Sequence, residues 1–158
     1  MKKLTHKSNQ KGFTIIEVLI VLAIAGLIML VVFLAVPALN RNSHNNQYKT
    51  EASNLLGAYQ ETSNNNGGAP LTASANGVGD ALAVKTAANT KTLTNVSIVA
   101  QTVTAQTPTL GSGAIFVLKS KCTAANSNVP VNSTDRAVAL IYPIETTGGG
   151  TAYQCVEE

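Results

Sequence analysis

The sequence predicts an α+β fold: a long N-terminal helix, its first half membrane-spanning, packed on a small antiparallel β-sheet of about four strands. Three observations predict it. From Val18 to Val36 no side chain is charged or strongly polar. Between Tyr48 and Tyr59 apolar residues recur on one helical face. Beyond residue 95, four β-branched or apolar runs are separated by turns rich in Gly, Asn and Pro.

The apolar run of about 19 residues suffices to cross a bilayer core of roughly 30 Å at about 1.5 Å per helical residue. It is apolar all round, as a membrane span requires. Lys2, Lys3, Lys7 and Lys11 precede it, so residues 1–12 read as a targeting leader outside the fold, with its lysines on the cytoplasmic side. A conventional signal peptide cut near Ala25 would leave Gly26–Val36 as an apolar start to a secreted protein, which disfavours that reading. The helix is expected to run from Phe13 to about Thr62. Pro37 removes a backbone donor and should bend or loosen it, Gly26 is a second weak point, and the polar stretch Asn40–Gln47 could break it. Tyr48, Ala52, Leu55, Leu56 and Tyr59 form one face, which needs a sheet to cover it. Lys49, Glu51, Gln60 and Glu61 lie opposite. Asn64-Asn65-Asn66-Gly67-Gly68-Ala69-Pro70 ends the helix.

Residues 63–95 read as a long connecting loop, with at most a helical turn at Ala81–Val84. The strands are expected at Val96–Thr104, Ala114–Lys119, Ala137–Tyr142 (stopped by Pro143) and Thr151–Val156, the last two as a hairpin across Gly148-Gly149-Gly150. The expected organisation is therefore residues 1–12 leader, 13–37 apolar helix, 38–62 amphipathic helix, 63–95 connecting loop and 96–158 sheet.

The junction Lys11-Gly12-Phe13-Thr14-Ile15-Ile16-Glu17 resembles the start of type IV prepilins and pseudopilins: a basic leader, then Gly-Phe-Thr-apolar-apolar-Glu, then an apolar helix. The strict match covers about seven residues, and the compatible helix extends it to about 50. In the family a proline lies near the depth of Pro37, usually about three residues earlier. The resemblance implies the pilin fold, cleavage after Gly12 by a prepilin peptidase, N-methylation of Phe13 and assembly into a filament. The implied partners are other copies of the chain, the peptidase, the pilus assembly machinery and, for the precursor, the cytoplasmic membrane. The mature chain would be a surface filament. Removal of the four leader lysines would take the formal net charge from +3 to about −1, so the basic pI reflects the leader.

Glu17 stands out, because a carboxylate inside a membrane helix costs about 2.5–3.5 kcal/mol on insertion scales. One reading is a helix-end carboxylate that snorkels to the interface. The other, implied by the resemblance, is assembly: the carboxylate of one subunit meets the Phe13 α-amine of a neighbour, each offsetting the other's desolvation. Cys122 and Cys155 lie on the exported side, where an even pair favours a disulfide over two free thiols. It would close a loop of about 33 residues, worth roughly 3–4 kcal/mol in the chain-entropy model.

Other chemistry finds little support. His6 and His44 are the two histidines, and no nucleophile motif, paired acids or metal-ligand spacing accompanies them. No cofactor or metal is expected, and no enzyme. A nucleic-acid footprint needs clustered positive charge, and none is visible. Charged residues make up only 12% of the chain, about half the globular average, so the core beyond the helix should be a thin one of Val, Ile, Leu and Ala. Within the resemblance the alternatives are a major pilin, a minor pilin or a secretion pseudopilin. Outside it stands a membrane-anchored binding or enzymatic domain.

Overall fold

A computed structural model describes residues 12–158. The leader lysines and most of the expected leader lie outside the described residues. The chain divides into two compact units between Leu39 and Asn40.

The described part of the first unit is the start of helix α1 (Ile15–Asn65). Its apolar side chains from Ile15 to Val36 are exposed all round, as expected of a helix whose solvent is not water. α1 continues without interruption through Gly26 and Pro37.

The second unit is built on the rest of α1 and a mixed sheet, order β1-β2-β5-β6, made of β1 (Asn95–Val99), β2 (Gly113–Leu118), β5 (Val138–Glu145) and β6 (Thr151–Glu157). Two short strands, β3 (Ser120–Cys122) and β4 (Pro130–Asn132), form a separate antiparallel pair. Helix α2 (Gly79–Ala88) lies between α1 and β1. The α+β architecture and the four-strand main sheet are those expected. The sheet is mixed rather than wholly antiparallel, because β1 runs parallel to β2, with Val96 opposite Ala114 and Ile98 opposite Phe116. Parallel neighbours need a crossover of a dozen or more residues, and residues 100–112 supply it in irregular backbone. For this reason the first strand ends at Val99 and not at Thr104. The crossover closes with Gly113 N–H donating to the Thr109 carbonyl at 2.7 Å. A Cβ at Gly113 would sit 2.4 Å from the Thr109 nitrogen, so only glycine fits.

Side chains alternate across the sheet with period two. Val96, Ile98, Ala114, Phe116, Leu118, Val138, Leu140 and Tyr142 join Tyr48, Ala52, Leu55, Ala58 and Tyr59 of α1 in the main core. Tyr59 stacks on Phe116 with ring centroids 5.2 Å apart, an arrangement worth roughly 0.5–1.5 kcal/mol beyond area burial. Burial holds the Tyr59 and Tyr142 hydroxyls above the usual tyrosine range. The other face gathers Val117, Ala139, Ile141 and Cys155, with Cys122 and Tyr153 against them.

β5 runs through Pro143 rather than stopping before it. The β2–β5 register ends at Ile115 opposite Ile141, so beyond that point the β2 side of β5 has no strand to satisfy. The missing N–H of Pro143 falls on that vacant side. Two residues on, Glu145 turns its backbone the same way, and Asn45 of α1 fills the gap. Asn45 Nδ2 donates to the Glu145 carbonyl at 2.9 Å, and its Oδ1 accepts the Glu145 N–H at 2.8 Å. Arg41 donates to the Thr147 carbonyl at 2.6 Å, and His44 Nδ1 faces Glu145 Oε1 at 3.2 Å. These contacts hold the polar stretch Asn40–Gln47 as helix.

α1 ends in a Schellman motif: Gly68 N–H reaches the Ser63 carbonyl at 2.9 Å and Gly67 N–H that of Asn64 at 3.1 Å, with Gly67 left-handed at φ 73°. α2 is a full helix where only a turn was expected. Its own N-cap residue, Val78, makes no side-chain capping bond. Ser74 Oγ instead accepts the Ala81 N–H at 3.0 Å, and Ala81 and Val84 are buried.

Candidate functional site at the start of the helix

Gly12, Phe13 and Thr14 precede the helix in non-helical backbone. Nothing lies within 4 Å of where a Gly12 Cβ would be, and Phe13 is 88% exposed. Among the described residues nothing covers the Gly12–Phe13 peptide bond, and the first helical turn lies directly behind it.

Thr14 is the N-cap and Glu17 the third helical residue. Glu17 Oε2 accepts the Thr14 N–H at 2.9 Å and the Thr14 hydroxyl at 2.8 Å, while Thr14 Oγ1 receives the Glu17 N–H at 3.4 Å. This is a reciprocal capping box, in which one Thr and one Glu satisfy donors that the helix start leaves orphaned. Its signature, Thr-x-x-Glu before an apolar run, is legible in the sequence but was not read there. In the single chain the Glu17 carboxylate closes its own helix start. It also complements the positive end of the helix dipole. Phe13, Val18, Val21 and Leu22 line an open apolar groove with Glu17, and the carboxylate is the charged group in it.

Cys122 and Cys155 are bonded, with Cα atoms 5.7 Å apart. The bond joins β3 to β6 beside two further ties, Cys122 N–H to Glu157 Oε2 at 2.7 Å and Cys155 N–H to the Ala125 carbonyl at 2.9 Å. Among the described residues no group of three His, Cys, Asp or Glu side chains could hold a metal ion. A recess near the end of α1, lined in part by Tyr59, Gln60, Ser63 and Arg136, has a volume of ≈ 230 Å³, and a wider one beside Glu51, lined in part by Ser43, Asn46 and Thr92, of ≈ 450 Å³.

Sequence reasoning placed Glu51 on the solvent face of α1. It is instead half-buried and accepts three consecutive backbone N–H groups: Lys91 at 3.2 Å, Thr92 at 3.0 Å and Leu93 at 2.6 Å. It pins the segment between α2 and β1 to α1. No local pattern signals a partner some forty residues away on bare backbone.

Comparison with known families gives a match to the prokaryotic N-terminal methylation motif over residues 7–33. The chain carries a type IV prepilin-like leader. The motif brackets the open Gly12–Phe13 bond, the capping box and most of the apolar helix. It belongs to a structural family and not to an enzymatic one. Neither a curated protein nor a solved structure matches the chain. A prepilin-like leader followed by a helix long and apolar enough to cross a membrane is consistent with membrane anchoring.

Proposed function

We propose that this chain is the precursor of a structural subunit of a type IV pilus or related filament. A prepilin peptidase cuts after Gly12, Phe13 is N-methylated, and the mature chains polymerise through their N-terminal helices. The observation that carries the reading is the methylation motif at residues 7–33, set across an exposed Gly-Phe bond at the start of a helix whose apolar surface is uncovered. In the membrane these helices sit in lipid, and in a filament they cover one another. Association then rests on packing rather than on excluding water.

The capping box refines the role of Glu17. Cutting after Gly12 leaves an α-amine on the residue before Thr14, next to a carboxylate already bonded to Thr14 N–H. The carboxylate is thus held in place at the helix start before any neighbour arrives, and an incoming amine meets an ordered acceptor. A charge pair formed in apolar surroundings stabilises assembly only when both members are present.

Gly12→Asp tests the processing step. The expected result is an uncut, membrane-held precursor and a surface free of filaments. Normal filaments built from uncut chains would contradict the proposal.

A further inference from the structure

Two Asn-Gly pairs occur in the described chain, Asn66-Gly67 and Asn76-Gly77. Both asparagines are exposed. In such a pair the backbone nitrogen of the glycine can attack the asparagine side-chain carbonyl carbon, because glycine presents no Cβ to obstruct the ring that forms. What separates the two pairs is the attacking nitrogen.

At Gly67 the N–H is part of the Schellman motif, donating to the Asn64 carbonyl at 3.1 Å, while Asn66 N–H is shared between Thr62 and Ser63, both at 3.1 Å. Attack there requires the end of α1 to unwind. Among the described residues the Gly77 N–H makes no such bond to backbone. The pair lies in an exposed turn between Ser74, which bridges to Ile98, and α2. Nothing lies within 4 Å of where a Gly77 Cβ would be, so the space the ring needs is open. The Asn76 side chain is anchored at its far end, Nδ2 donating to Asn95 Oδ1 at 3.0 Å.

We propose that Asn76 is a site of spontaneous deamidation, and that the fold directs the reaction there and away from Asn66. The Gly77 nitrogen bonds to Asn76 Cγ, and the bond from Cγ to the amide nitrogen breaks. Ammonia leaves, carrying the proton lost by Gly77 nitrogen, and a succinimide remains. Water then opens the ring at one carbonyl or the other, giving aspartate or isoaspartate. The aspartate product has a place to go. Asn95 can turn its amide over, directing Nδ2 to the new carboxylate and Oδ1 to the Ser112 hydroxyl that it now meets through Nδ2 at 2.9 Å. The new negative charge also lies just before the N-terminus of α2, where the helix dipole favours it. The isoaspartate product inserts an extra backbone carbon between the Ser74 bridge and α2, so it should loosen that turn. Each subunit that reacts gains one negative charge.

The test is incubation of the full-length chain in detergent at mildly alkaline pH, followed by trypsin digestion and fragment-ion mass spectrometry. Both pairs fall in the single peptide between Lys49 and Lys85, so each molecule reports on both. The expected result is conversion at Asn76 well ahead of Asn66 in the folded chain, and conversion of both at similar rates in denaturant. Equal rates in the folded chain, or Asn66 leading, would overturn the proposal. So would a folded chain in which Asn76 stays intact while the denatured chain converts.

Discussion

Under the proposed assembly Glu17 has two tasks, of which the structure shows the capping box, and a single substitution can separate them. As a carboxylate it can pair with an α-amine, and as a side-chain acceptor it closes the capping box. Glu17→Ala removes both, whereas Glu17→Gln keeps an acceptor at the third helical position and loses the charge. The expected outcome for Glu17→Gln is a chain that is inserted, cut and helical from Ile15, but forms few or no filaments, since breaking a buried pair from one side costs roughly 3–5 kcal/mol. Filament counts by electron microscopy check this, and wild-type counts would mean that the cap alone suffices. Glu51→Gln is expected to destabilise the second unit by about 1.5–3 kcal/mol, the range for hydrogen bonds to a charged group, read from denaturant unfolding followed by tyrosine fluorescence. Lys119 lies 2.7 Å from Asp135 and holds its carboxyl below the usual carboxylate range. The stabilisation from this pair is therefore present above that range and fades as pH falls through the depressed value. A carbon-detected NMR titration should place Asp135 below the ordinary range, and high salt or Lys119→Gln should move it back. An Asp135 titration unmoved by either would contradict the assignment.

Single elements were legible where local chemistry decides them. The end of α1 was readable because only glycine accepts the left-handed position after a helix at no steric cost. Gly67→Ala should cost about 1–2 kcal/mol, measured as a lower unfolding midpoint at unchanged slope. The apolar face of α1 was readable from periodicity, and the β5–β6 hairpin from two short runs flanking Gly148-Gly149-Gly150. α2 was not, because its cap is Ser74, outside the usual N-cap position, and its buried face is only Ala81 and Val84. Nor was the passage of β5 through Pro143, since proline breaks a strand only where a neighbour needs its N–H. The sequence does not say where β2 ends or that Asn45 takes over. The same limit hid the tie that keeps Asn40–Gln47 helical. For Asn45→Ala the expected loss is about 1–3 kcal/mol, the cost of leaving the Glu145 backbone groups unpaired; an unchanged unfolding midpoint would show that water replaces the side chain.

For the chain as a whole, the α+β class and the prepilin-like leader were legible in strong one-dimensional signals: an apolar run of membrane length, lysines on one side, and Gly-Phe-Thr at their junction; the proposed cut at Gly12–Phe13 is drawn from the same signals. Sheet order rests on the path of residues 100–112, whose Gln, Thr and Pro composition encodes no direction, so the parallel β1–β2 pairing was not legible. Cys122 and Cys155 were readable as a pair, but not the polar ties that accompany the bond. Replacing both by serine should cost the second unit roughly 2–5 kcal/mol, seen as a lower unfolding midpoint of the detergent-held chain. In the proposed function this chain matures at Gly12–Phe13 and is then built into filaments. The most direct measurement is the N-terminus of the protein in sheared surface material, determined by sequencing and mass spectrometry. The expected result is filaments whose subunit begins at N-methylated Phe13. Subunits that retain the leader, or that begin near Gly26 as a conventionally secreted protein would, contradict it.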